Sequence, residues 1–159
     1  MQNLLKFMAL MAPGIMVACG SQSLAQIATD VTNLAGGVAA AAQTLRDGGM
    51  LPAQQQAQLD DAVSALQAAA TAAAKATTAT AQQSAIQQAV AAFNAVMAAL
   101  AGAKGMPQNV VTVLTAAQVL LPTIEALAGL PVTASASATA MTPDEASTIL
   151  SSEAARLHT

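Results

Sequence analysis

Apolar residues recur at seven-residue steps from Leu24: Leu24, Val31, Val38 and Leu45, with Ile27, Leu34 and Ala41 between them. That spacing lays one apolar stripe along a helix and reads as a packing seam, with Gln26, Asp30, Thr32 and Asn33 pointing away from it. Gly36-Gly37 falls in the middle of the seam, where it either allows a close helix crossing or marks a kink. "RDGGMLP", residues 46–52, is a turn: Gly48-Gly49 suits a helix end and Pro52 the first position of the next helix.

From Pro52 to about Thr77 the seam repeats more weakly through Leu59, Ala62, Leu66, Ala69 and Ala73, with Val63 alongside. "TTAT", residues 77–80, is a weak break, so this helix either stops there or runs on into the next. Thr80 with Gln83 has the spacing of a capping box that starts a third helix, which carries Ile86, Ala89, Phe93, Val96 and Leu100, broadened by Val90 and Met97. "AGAKGMP", residues 101–107, repeats the Gly-then-Pro punctuation.

The fourth segment, residues 110–130, is apolar on nearly every side, which fits either a buried central helix or a membrane span. Pro122 and Glu125 inside it favour the core helix, because a carboxylate in mid-membrane is costly, and Pro122 is expected to kink it near residue 118. Residues 131–141 are small, polar and unpatterned, the composition of a flexible linker. A short helix follows over 142–159: Thr142 as N-cap, Pro143 in the first turn, Asp144 and Glu145 complementing the dipole, and Thr142 with Glu145 as a capping box. Its apolar face (Ile149, Leu150, Leu157) either folds back on the bundle or docks a partner, and folding back is favoured because isolated short helices are marginal in water.

Composition sharpens this picture. Hydrophobic residues make up 55% of the 159 but aromatics only 1%, so alanine dominates and the core is thin and helical. The expected fold is all-α: an up-and-down antiparallel bundle of about four helices within residues 19–130, then the linker and the C-terminal helix. Charged residues are only 8%, the net charge is −3, and the basic residues Lys6, Arg46, Lys75, Lys104 and Arg156 are scattered, which leaves no footprint for nucleic acid.

Residues 1–18 have a short positive start at Lys6 and then twelve uncharged residues from Phe7 to Ala18, the length of a signal-peptide apolar region and too short for a span. They are followed by Cys19, the one cysteine in the chain. Met16-Val17-Ala18-Cys19-Gly20 resembles the lipobox of bacterial lipoprotein precursors, with Met16 where that family favours Leu. The resemblance implies that the Cys19 thiol is lipidated, the signal is then cut just before it and the new N-terminal amine is acylated, and Gly20 in place of Asp implies the outer membrane. Several acyl chains together anchor stably. Two other fates stay open: cleavage after Ala25, with Ser23 and Ala25 as the small residues of an ordinary site, or an uncleaved anchor.

The search for reactive groups returns little. His158 is penultimate, Asp60 and Asp61 are adjacent and so project about 100° apart on a helix, and no phosphate loop, nucleophile elbow or Ser/His/Asp set is present. Neither a metal, a cofactor nor a catalytic residue is expected. Glu125 is the one carboxylate in an apolar setting, either a structural acid or a sensor of protons or ligand. The mature-chain methionines Met50, Met97, Met106 and Met141 are spread out as gap fillers. The expected function is that of a non-enzymatic, lipid-anchored envelope protein that faces the periplasm and associates with itself or with another envelope protein. The alternatives are a holin-type membrane protein spanning through 4–19 and 110–130, and a soluble periplasmic binding module with a cavity beside Glu125.

Overall fold

The computed structural model describes residues 16–132 and 141–156, with side chains from Leu24 onward. Most of the expected signal segment, the central part of the expected linker and His158 lie outside the described residues. Five helices follow in order: α1 (Met16–Asp47), α2 (Ala53–Lys75), α3 (Ala79–Leu100), α4 (Gln108–Leu127) and α5 (Pro143–Arg156), with no strand among the described residues. This is the all-α bundle with a short C-terminal helix that the patterning predicts.

The apolar seams become the core. Val31, Val38, Leu45, Ile27, Leu34 and Ala41 of α1 are buried, as are Leu59, Leu66 and Ala73 of α2 and Ile86, Phe93, Val96 and Leu100 of α3. Among the described residues alanine is the most frequent buried one, which lets the backbones approach closely but leaves a modest apolar area per residue.

The turns are built as their glycines suggest. At the end of α1, Met50 N–H donates to the Leu45 carbonyl (3.2 Å) and Gly49 N–H to that of Arg46 (3.0 Å), with Gly49 at φ 60°. This is a Schellman closure, in which a left-handed residue satisfies carbonyls that the helix end leaves without partners. The same closure ends α4 at Gly129 (φ 69°): Leu130 N–H meets the Glu125 carbonyl (2.9 Å) and Gly129 N–H that of Ala126 (3.1 Å). Segment 110–130 therefore stops being helical before Gly129.

Two boundary readings are corrected and one left open is decided. Pro52 and Pro107 each stand one residue ahead of their helix, with ψ of 149° and 146°. α2 and α3 are separate, because Ala76 is extended. The cap of α3 is Thr78, whose Oγ1 accepts from Ala81 N–H (3.2 Å), and not Thr80, while Gln83 donates across to the Ala128 carbonyl (2.7 Å). Either threonine has the right chemistry, and Thr78 caps because its own backbone is extended (φ −127°, ψ 150°), whereas Thr80 lies inside the helix.

α1 is the central element. It packs against α2, α4 and α5, whereas α3 leans mainly on α2. α3 and α4 are linked through longer side chains, namely the Gln83 bond and a contact from Gln118 Nε2 to Met97 Sδ at 3.9 Å. α4 continues through Pro122 as one helix, and none of residues 110–125 is fully exposed. It is the one described helix long and apolar enough to cross a membrane, and half of its most apolar stretch is buried inside the molecule.

Candidate functional site

The best-defined polar arrangement lies where α5 crosses α1. From Leu34 to Ala42 the sequence of α1 contains no polar residue, so two of its faces are apolar there rather than one. α5 covers the second face. A Cβ built on Gly36 would lie 2.5 Å from Ala154 Cβ, and one on Gly37 would lie 2.6 Å from Leu150 Cδ2 and 3.1 Å from Leu150 Cα. The glycine pair thus serves a close helix crossing, the first of the two uses open to it. Ala146 and Leu150 are fully buried there, so α5 folds back on the bundle.

Asp30 sits beneath the same crossing. The single-seam reading turns it toward solvent, but it is only 9% exposed, because α5 closes over the face that the seam leaves free. Its Oδ1 accepts from Ser147 Oγ at 3.5 Å, a long hydrogen bond. Burial raises its pKa above the ordinary carboxylate value, the Ser147 hydroxyl opposes that rise, and the negative charge of Asp144 adds to it. At the start of α5 the expected capping box is present: Glu145 N–H donates to Thr142 Oγ1 (3.3 Å), and Thr142 N–H donates to Glu145 Oε2 (2.8 Å). These bonds hold the exposed Glu145 carboxyl below its ordinary pKa, with the Thr142 backbone N–H the largest cause.

The other singled-out residues fall apart from this crossing. Glu125 is buried and engaged, and no buried side-chain nitrogen or oxygen among the described residues lacks a hydrogen-bond partner. Asp60 pairs with Arg46 across the α1–α2 turn, in the open. Asp61 lines a shallow groove between α2 and α3 with Gln58, Ala65, Ala92 and Ala95. A second groove of about 610 Å³ runs along α5 over Met141, Asp144, Glu145, Thr148 and Ile149. No trio of His, Cys, Asp or Glu able to hold a metal occurs among the described residues. Cys19 falls within the first turns of α1, and its side chain lies outside the described residues.

Gln82 is a residue that sequence reasoning passed over. It is 2% exposed, and its Nε2 donates to the Leu24 carbonyl at 2.7 Å, which ties the start of α3 to the N-terminal third of α1. In a chain where Gln serves mainly as a solvating residue, nothing in its local pattern marks it out. Asp30 did carry a signal, since it stands one heptad before Gly37, on the stripe beside the seam. Together these groups can orient helices and respond to protonation.

No protein-family model matches the chain, and neither a characterised protein nor a solved structure matches it.

Proposed function

We propose that the protein is a non-enzymatic, lipid-anchored component of a bacterial cell envelope, held at Cys19 and presenting its alanine-rich bundle in the periplasm for self-association or for contact with another envelope protein. The observation that carries this reading is the stretch Met16-Val17-Ala18-Cys19-Gly20, with its uncharged run upstream. The spacing of the bundle is compatible with it. Ile27, the first fully buried among the described side chains, follows Cys19 by about two helical turns, roughly 12 Å, so an acylated Cys19 would hold the helices close to the bilayer surface.

The deciding measurement is the intact mass of protein extracted from membranes. A chain beginning at Cys19 and carrying acyl groups is expected. A chain beginning at Gln26, or one that retains Met1, overturns the proposal. Cys19→Ser provides the second arm, since the variant should leave the membrane fraction. Its retention after carbonate extraction would point instead to spanning through 4–19 and α4, the helix whose length and apolarity favour that competing reading.

A further inference from the structure

α5 is held by few devices, and one of them works against it when charged. Its packing is confined to α1 and α4. A helix of 14 residues is marginal by itself, so its order depends on that packing. Two contacts favour the docked position: Leu150 and Ala146 in full burial, and the Gly36-Gly37 notch that receives Leu150 and Ala154.

Asp30 is the third device. As a carboxylic acid it is a small polar group beside Ser147. As a carboxylate it is a nearly buried anion with one long hydrogen bond from Ser147, facing the acidic first turn of α5. An anion in that position loses hydration that one hydroxyl does not replace, and Asp144 adds like-charge repulsion. The remaining charges on the packed elements do not relieve it. Glu145 is committed to Thr142, Asp60 to Arg46, and Glu153 to Arg156 at 3.0 Å. Glu125 of α4 is itself an acid, and Lys75, in the last turn of α2, lines a groove with Thr32, which projects about 200° around α1 from Asp30.

We propose that α5 is a pH-sensitive strap, held over α1 and α4 while Asp30 carries a proton and loosened when that carboxyl ionises. The sign follows from the direction of the Asp30 shift. A carboxyl whose native pKa is raised above its ordinary 3.8 contributes docking stability that is complete below that value and lost as pH rises through the native one. Loosening uncovers the glycine notch of α1, a surface shaped for a helix that carries small residues. This inference does not rest on the lipid anchor.

The test is amide hydrogen exchange of the full-length chain, with rates corrected for the intrinsic pH dependence of exchange and followed from about pH 4.5 to about pH 8, where Glu145 stays ionised. Protection of the α5 amides is expected to fall with rising pH by up to about tenfold, while α2 and α3 stay level. Asp30→Asn should flatten the profile. Ser147→Ala, which removes the hydroxyl that favours the charged form, should move the fall to higher pH. A flat profile in the unmodified chain overturns the proposal. So does the same fall retained in Asp30→Asn, or a move to lower pH in Ser147→Ala.

Discussion

Glycine 36 and its neighbour show how one missing Cβ can decide a helix crossing. Replacing Gly36 with alanine gains about 1 kcal/mol of helix propensity in α1. It also drives the new Cβ against Ala154 Cβ, a rigid atom that cannot swing aside, and overpacking of that kind costs about 1–3 kcal/mol. The expected result is a loosened α5 in an otherwise intact bundle. Adding Ala154→Gly should restore docking, so a double-mutant cycle read by chemical denaturation should return a coupling of about 0.5–3 kcal/mol. No coupling would mean that the two positions do not meet in solution. Gln82 makes a different residue-scale case. Gln82→Ala removes the donor that ties α3 to the Leu24 carbonyl, and a loss of about 1–3 kcal/mol is expected in urea unfolding. An unchanged midpoint would show that water or the helix itself satisfies that carbonyl.

The helices differ in what holds them. α2 and α3 are long and pack extensively on each other, whereas α5 relies on its cap and on α1 and α4. Thr142→Ala should therefore cost about 1 kcal/mol, read as faster exchange confined to α5. The box has its own pH dependence, opposite in sign to that of Asp30. Because the native pKa of Glu145 is lowered, its contribution is present above the ordinary value of 4.5 and lost as pH falls through the native one. α5 should accordingly lose order on one side as pH rises through the raised native value of Asp30 and on the other as it falls through the lowered native value of Glu145. Glu145→Gln should remove the acid limb alone. An acid limb that survives in Glu145→Gln would place its origin elsewhere.

At the scale of the whole molecule, the bundle is a thin alanine core pinned by a few larger side chains, among them Leu34, Leu66, Ile86 and Phe93. Leu66→Ala should therefore cost about 2–5 kcal/mol, visible as a lower thermal midpoint by circular dichroism. The five helices, the seams of α1 to α3, the Gly48-Gly49 turn and the capping box of α5 were all legible in the sequence. Each rests on a local rule: a heptad repeat, a left-handed glycine, or a threonine three residues ahead of a glutamate. The lipobox resemblance at Cys19 is local too, and it motivates the proposed anchor. What local rules do not carry is which of two possible faces a helix buries. Leu34 to Ala42 is apolar all round, and only the return of α5 makes Gly36-Gly37 a crossing and Asp30 a buried acid. The sequence by itself determined where helices start, stop and turn apolar, because those choices depend on neighbours within a few residues. The tertiary structure decided the partners of α1 and the setting of Asp30 and Gln82, because burial depends on segments more than fifty residues away.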